Sequence, residues 1–322
     1  FRQLLPAVIW TCLLSADLNH GLILAQSASE PDVVRAAIGP GGMRRYERGK
    51  WSVLSLKASN GQGEAASGTS SVFLENDART QYTRRYWMPA KSIRHTWLPI
   101  RTPSNIPASE STLHASVLNV VGSGNAATLN RIRGDSPLIE ESLLALDPLG
   151  LNTGIFSKRL LLGESESLQE GPNEIYETVV AVRMFHDGKR IISNLHDQFL
   201  PPHPEAYDAL DQLVVSDDRI VADSGGIAAV RNWIARGGSA WIMLDLVDIE
   251  TVKSLLGNAL PYEVIDRVEL TEFSIKVPTP PHSNVAPTEA WIAEEPVEFV
   301  RVALDSADVY ASIDGWPAAF SI

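Results

Sequence analysis

Short runs of β-prone residues, separated by turn residues, fill the sequence from Val33 to Val121 and limit its fold more than any other feature. The runs span residues 51–56, 71–74, 81–87, 92–98 and 113–121. No long segment with helical spacing interrupts them. Short strands bounded by such turns favour an antiparallel sandwich of the immunoglobulin-like type. We therefore predict an N-terminal β-sandwich over residues 32–134.

The second half of the sequence has a different rhythm, in which apolar runs alternate with helical patterns. The predicted strands span residues 178–182, 191–195, 213–215 and 240–244. The predicted helices are Ser224–Ala235, followed by the stop Gly237-Gly238, and Ile249–Leu256. Strands and helices in alternation favour a parallel sheet with right-handed crossovers.

A resemblance to a known family rests on this half. Leu213-Val214-Val215 with Asp217, followed by the segment IAAVRNWIARGGSAWIML of residues 227–244, resembles the glutamine amidotransferase-like domain (class I, flavodoxin-like) of bacterial secreted or membrane-anchored proteins. Asp314-Gly315-Trp316-Pro317-Ala318-Ala319 resembles a motif before the last strands of such domains. The resemblance covers Glu177–Ile322 and implies an α/β flavodoxin-like parallel-sheet domain, here with a β-rich insertion over residues 260–312.

Both ends of the sequence suggest a longer, exported protein. Arg2, the apolar run Leu4–Leu14 and the small residues Ala25 and Ser27 are typical of a secretory signal, although a buried N-terminal element is the alternative. The apolar end at Ile322 predicts a truncated last domain. The predicted order is a signal-like segment 1–29, the sandwich 32–134, a connector 135–175 and the amidotransferase-like domain 176–322. The resemblance also implies transmembrane helices after this domain, and hence membrane association of an extracytoplasmic protein.

Charge divides the sequence at the end of the predicted sandwich. Residues 31–134 contain 14 Lys and Arg against 6 Asp and Glu, and residues 135–322 contain 12 against 31. The net charge of −12 argues against nucleic acid as the main partner. We expect the basic sandwich to contact the acidic second domain.

The resemblance does not extend to a catalytic site. Active amidotransferases of this class carry a catalytic Cys on a tight turn after the strand that corresponds to residues 240–244. Asp245 stands there, and the one cysteine of the chain is Cys12. We therefore expect a non-catalytic protein without a cofactor, which acts in protein interaction or sensing at the cell envelope.

Two alternatives remain open. The first is an exported hydrolase that uses carboxylate or metal chemistry, with Asp245, Asp217 and His196 as catalytic candidates. Its candidate metal ligands are His196, Asp197 and His203, although a role as solvated loop residues is the favoured explanation. The second is a carbohydrate-binding module that uses Trp87 and Trp97.

Overall fold

A computed structural model of the protein describes residues 32–75, 77–107, 109–121, 128–129, 138–146, 150–156, 174–185, 192–195, 199–258, 260–277 and 288–322. Strands make up 53% of the structure and helices 19%, so the chain is predominantly β. In these ranges the strands form four sheets.

The N-terminal region contains two sheets that face one another. Its strands are β1 (Asp32–Ile38), β2 (Arg45–Tyr46), β3 (Trp51–Asn60), β4 (Ala66–Leu74), β5 (Asp77–Met88), β6 (Ser92–Arg101), β7 (Thr112–Val121), β8 (Thr128–Leu129) and β9 (Leu138–Ala145). One sheet has the order β1-β3-β6 and the other the order β2-β9-β7-β4-β5, with β8 paired to β7. Alternate residues such as Leu54 and Ile100 from the first sheet and Val72 and Leu113 from the second share one core. We call this region the sandwich.

A small parallel sheet follows, with three helices. Its elements are β10 (Thr153–Phe156), α1 (Glu174–Phe185), β11 (Ile192–Asn194), β12 (Gln212–Val215), α2 (Ser224–Ala235), β13 (Ser239–Ile242) and α3 (Ile249–Leu256). The strand order is β11-β10-β12-β13, and every pair is parallel. Each strand has only three or four residues.

Local signals fix the ends of α2, and its predicted position is confirmed. The side chain of Asp223 accepts a hydrogen bond of 3.0 Å from the backbone N–H of Gly225, which caps the first turn. Val230 and Trp233 bury the inner face of the helix. Gly237 ends it with φ of 104°, a backbone conformation that favours glycine.

The last part of the chain is an antiparallel sheet. Its strands are β14 (Tyr262–Lys276), β15 (Thr288–Leu304), β16 (Asp308–Ile313) and β17 (Trp316–Ser321), in the order β15-β14-β16-β17. Asp314 and Gly315 link the last two strands with positive φ values of 48° and 86°. Two positive φ values in a row are the requirement of a tight hairpin turn, so the Asp-Gly pair is explained by turn chemistry.

The predicted fold class was wrong. No flavodoxin-like domain spans residues 176–322, because residues 262–276 and 288–321 belong to the antiparallel sheet and the parallel strands begin at Thr153. The identification as an amidotransferase-like domain falls with it. The strand predicted over Thr178–Val182 lies inside α1. There Val179, Val180 and Arg183 are buried whereas Val182 is exposed, which is the spacing of a helix face and not of a buried strand.

One hydrophobic cluster joins the three regions. Met43 and Val53 of the sandwich, Leu213 and Trp233 of the parallel unit, and Val302 of β15 all belong to it. The three regions therefore share a continuous core.

The predicted signal-like segment 1–29 lies outside the described residues. Of the helices that the structure does describe, none has the length and apolar character needed to cross a membrane. Neither observation tests the predicted export or membrane association, and both stay predictions. The predicted domain boundaries stay predictions as well.

Candidate functional site

The first candidate functional site is the carboxyl edge of the parallel sheet. Ligands of parallel α/β sheets bind at this edge as a rule. β10 ends there at Phe156 and β12 ends at Val215, followed by Ser216 and Asp217. The Ser216 hydroxyl donates a hydrogen bond of 3.2 Å to the carbonyl oxygen of Phe156, so this side chain ties the two strands together.

Asp217 is engaged by its own loop. Its carboxylate accepts a hydrogen bond of 2.8 Å from the backbone N–H of Arg219 and one of 2.7 Å from the Arg219 Nε. The Arg219 guanidinium also lies 5.1 Å from the centre of the Phe156 ring. A carboxylate that is 7% exposed and paired in this way holds a loop in place.

Asp218 serves α3. Its Oδ1 accepts a hydrogen bond of 2.9 Å from the backbone N–H of Asp248 and one of 2.7 Å from the Thr251 hydroxyl. The Asp248 side chain makes no capping bond itself. Asp218 thus supplies from another loop the acceptor that the start of this helix needs.

We expect Asp218→Ala to lower the free energy of unfolding by about 1–2 kcal/mol, because it leaves helix-start donors without their acceptor. Asp218→Asn keeps one acceptor oxygen and should lose less. Urea denaturation measures both. Asp245→Ala is the matched control, since it removes an exposed carboxylate and should change stability by less than about 0.5 kcal/mol. Equal losses at the two positions would contradict this role for Asp218.

The other predicted site residues do not assemble with these aspartates in the described ranges. Asp245 is exposed after β13, and its backbone carbonyl accepts a 3.0 Å hydrogen bond from Arg267. His203 precedes a short 3-10 turn and makes no capping bond with its side chain. His196 and Asp197 lie outside the described residues. Within those ranges, no three His, Cys, Asp or Glu side chains are arranged to hold a metal ion. The predicted catalytic and metal-binding roles stay predictions.

The two tryptophans proposed for sugar binding have different surroundings. Trp87 is 54% exposed at the end of β5. Trp97 packs against the hydrophobic cluster, and its indole N–H is buried without a hydrogen-bond partner. The pair of exposed rings that a carbohydrate platform requires is therefore not present at these positions.

The second candidate site is a surface of the C-terminal sheet that the sequence analysis did not single out. We call it the arm. It consists of residues 270–276 of β14, residue 277 that follows this strand, and residues 288–297 of β15. Ile292 is 80% exposed and Trp291 is 49% exposed. Adjacent residues of a strand point to opposite faces, so each face of the arm exposes one of these large apolar side chains.

Carboxylates surround the exposed apolar side chains of the arm. β15 inserts residues 293–296 between the partners of Leu270 and Glu272, and this bulge carries Glu294, Glu295 and Pro296. Residues 262–322 contain 11 Asp and Glu against 3 Lys and Arg, a net charge of −8. Charge, proline and a bulge are devices that stop an edge strand from pairing indiscriminately.

The base of the arm is held by specific contacts. The Phe273 and Phe299 rings meet edge to face with their centres 4.9 Å apart. Asp314 accepts hydrogen bonds of 2.8 Å from both the backbone N–H and the hydroxyl of Ser274, and these bonds lower the pKa of Asp314. An ion pair between Arg301 and Asp266 likewise lowers the pKa of that carboxyl. The exposed residues are thus presented on a defined framework.

Acidic groups also meet where the sandwich faces the parallel unit. Burial raises the pKa of Glu47, with Asp211 and Asp208 adding to the rise and Lys50 opposing it. Burial also raises the pKa of Asp208. Ionisation of these carboxylates therefore costs more free energy in the folded state than in the unfolded state.

We expect Glu47→Gln to raise the melting temperature at neutral pH and to lose this advantage in acid. A raised folded-state pKa means that the native protein binds the proton more tightly. The stabilising contribution of protonated Glu47 is complete below the unfolded pKa and disappears as pH rises through the folded one. Thermal unfolding between about pH 4 and 7 measures the difference. Glu64→Gln, at an exposed position, should show no such trend.

Comparisons with known proteins do not assign this chain to a family. No family model matches the sequence, and no curated protein matches it. Among solved structures, it is similar to the CARDB domain of a Pyrococcus furiosus protein in complex with di-metal ions, at 13% identity and a TM-score of 0.26, over 37% of this chain and 90% of that one. It is also similar to a Paenibacillus sp. cycloisomaltooligosaccharide glucanotransferase, at 10% identity and a TM-score of 0.27.

The second likeness covers 66% of this chain and 27% of the glucanotransferase. A third, to the Parabacteroides merdae β-glucuronidase, has 11% identity and a TM-score of 0.23, over 70% of this chain and 32% of that enzyme. The chain therefore spans about a third or less of these two enzymes. At such TM-scores none of the three likenesses supports a conclusion about this protein.

Proposed function

We propose that this protein is a binding protein which recognises another protein through the arm and does not catalyse a reaction. The observation that carries the proposal is the exposure of Trp291 and Ile292 within an acidic sheet. Folding leaves these side chains in water, and a partner that covers them gains the burial of their apolar surface.

The structural roles of the carboxylates at the carboxyl edge of the parallel sheet also support the proposal, because they argue against catalysis there. Asp217 and Asp218, the carboxylates nearest to that edge, are engaged in holding a loop and a helix start. Groups with such structural duties are poorly placed to exchange protons with a substrate. The predicted hydrolase is therefore the weaker proposal.

The chemistry of the arm indicates the kind of partner. An acidic edge strand that exposes one large apolar side chain on each face is complementary to a basic, partly apolar segment. β15 lies at the edge of its sheet, where an extended segment can add as a further strand. We include the predicted export in the proposal, so that recognition would take place outside the cytoplasm.

Selection of displayed peptides tests the proposal with a defined probe. A library of random peptides on phage is panned against the full chain, and the bound sequences are compared with the input. We expect enrichment of basic peptides with large apolar residues, reduced at least about tenfold by Trp291→Ser with Ile292→Ser. Leu144→Ser is the matched control, since it removes an exposed apolar side chain from β9.

Two outcomes would contradict the proposal. One is the absence of any enrichment, and the other is enrichment that the double serine variant leaves unchanged. Turnover of glutamine, ester or glycoside substrates that disappears in Asp245→Ala would also contradict it, because it would restore the predicted hydrolase.

A further inference from the structure

We propose that the arm binds a guanidinium group of its partner, through the ring of Trp291 and the carboxylate of Glu289. This inference rests on the proposed function, because it names the chemical group that the arm recognises. It follows from the side chains that share one face of the C-terminal sheet. We call this face the aromatic face, and define it by the rings of Phe273, Trp291, Phe299 and Trp316.

Strand pairing and ring contacts place these four rings on one side of the sheet. Phe273 lies directly opposite Trp291, and its ring meets the Phe299 ring edge to face at 4.9 Å. Directly opposed residues of an antiparallel pair share a face, as do alternate residues of one strand. Arg301 therefore lies on the same face as Phe299, and its guanidinium is 5.0 Å from the centre of the Trp316 ring.

One end of the aromatic face already binds a guanidinium group from its own chain. The Arg301 guanidinium lies near the Trp316 ring, and its Nε donates a hydrogen bond of 2.6 Å to Asp266. A second nitrogen of Arg301 binds the other oxygen of the same carboxylate. A ring and a carboxylate together satisfy the charge and the donors of a guanidinium group. This sheet therefore builds such a site at its base.

The other end of the aromatic face has a ring and a carboxylate of the same kinds. Glu289 precedes Trp291 by two residues in a stretch of regular pairing, so the two side chains are neighbours on this face. Glu289 is exposed, and Trp291 is 49% exposed. Among the described residues, no cation lies over the Trp291 ring and none forms an ion pair with Glu289. A cationic side chain of a partner can therefore reach both groups.

The opposite face of the arm lacks a ring at the same level. Ile292 pairs directly with Glu272, one residue along from the pair of Trp291 and Phe273. Both Ile292 and Glu272 are exposed. An aliphatic side chain has no π face to attract a cation, so only the carboxylate acts on a cation there. The two faces therefore differ in the aromatic ring while each carries an exposed carboxylate.

The aromatic face should prefer arginine to lysine. A guanidinium group is planar, stacks on aromatic rings and donates two parallel hydrogen bonds to a carboxylate, whereas an ammonium group is compact and strongly hydrated. Arg301 uses both of these properties with Trp316 and Asp266. We therefore expect arginine to be the anchor of the basic segment that the arm recognises.

Binding of short labelled peptides to the full chain tests the inference. Fluorescence anisotropy with hexa-arginine, hexalysine and hexacitrulline compares a guanidinium group with an ammonium group and with a neutral group of similar shape. We expect hexa-arginine to bind about threefold or more tightly than hexalysine, and hexacitrulline to bind too weakly to measure. Trp291→Leu and Glu289→Gln should each weaken hexa-arginine binding about threefold or more.

The opposite face provides the matched controls. Ile292→Ala and Glu272→Gln remove an exposed apolar side chain and an exposed carboxylate, and each should change the affinity for hexa-arginine less than about twofold. Equal losses from variants of the two faces would show that acidic charge alone attracts the peptide, and would overturn the inference. Equally tight binding of hexacitrulline and hexa-arginine would also overturn it.

The peptides selected on phage separate this inference from the proposed function. Enrichment that needs Trp291 and Ile292, but neither Glu289 nor arginine in the peptides, overturns the inference and leaves the proposed function standing. Hexa-arginine binding that depends on Trp291, without enrichment of any displayed peptide, leaves the guanidinium site and overturns the proposed function. Circular dichroism checks that each variant is folded; if Trp291→Leu is not, Glu289→Gln and the hexacitrulline comparison decide.

Discussion

Trp233→Ala should lower the free energy of unfolding by about 3–5 kcal/mol, the range for removing a large aromatic side chain from a core. Trp233 lies on the inner face of α2 and is 5% exposed. Its ring lies 6.2 Å from the ring of Tyr207, which is fully buried. The backbone at Gly238 approaches so closely that a Cβ there would lie 2.4 Å from the indole. Little can move in to fill the cavity, and urea denaturation measures the loss.

Trp291→Ala is the matched control and tests the account of the arm. It removes the same side chain from a position that is 49% exposed, so we expect a change of less than about 0.5 kcal/mol. The variant should instead weaken peptide binding. A loss of stability comparable with that of Trp233→Ala would show that Trp291 is a core residue, and it would remove the main support for a recognition surface.

The second large effect concerns a glycine inside the sandwich. A Cβ at Gly68 would lie 2.3 Å from Cζ of the Tyr86 ring. The Tyr86 hydroxyl donates a 2.6 Å hydrogen bond to Asn119, which is fully buried and also accepts a 2.7 Å bond from Ser70. Gly68→Ala therefore forces the ring away from its buried partner. Overpacking and the lost bond together should cost about 3 kcal/mol.

Gly63→Ala provides the comparison, because a Cβ at Gly63 meets no atom within 4 Å. Its expected effect on the melting temperature is small, whereas Gly68→Ala should lower that temperature by roughly 5 °C or more. Similar melting temperatures for the two variants would mean that the Tyr86 ring can shift without loss.

The sequence predicted individual elements best where the signal was local. The helices Ser224–Ala235 and Ile249–Leu256 are found within those bounds, because caps and glycine stops act over a few residues. The apolar run Thr178–Val182 is composed of residues that suit a strand or a helix face, and only its neighbours decided for the helix α1. The resemblance assigned the helix α2 and the strand β13 to a flavodoxin-like domain, and the chain does not have that domain.

The arm could be predicted as strands but not as a surface. The β-rich insertion predicted over residues 260–312 contains strands β14 and β15. Nothing local in a sequence says whether a partner sheet exists to cover a face of such strands. Likewise, Asp217 pairs with Arg219 two residues away, which a sequence can suggest, whereas Asp218 reaches Thr251 across 33 residues.

Hydrogen–deuterium exchange of the full chain, with and without a selected basic peptide, tests the central claim most directly. Backbone amides of an edge strand are protected when a partner covers or extends it. We predict slower exchange in residues 288–297 of β15 and no change in residues 216–219. Slower exchange at residues 216–219, with the arm unchanged, would place recognition at the edge of the parallel sheet and contradict the account.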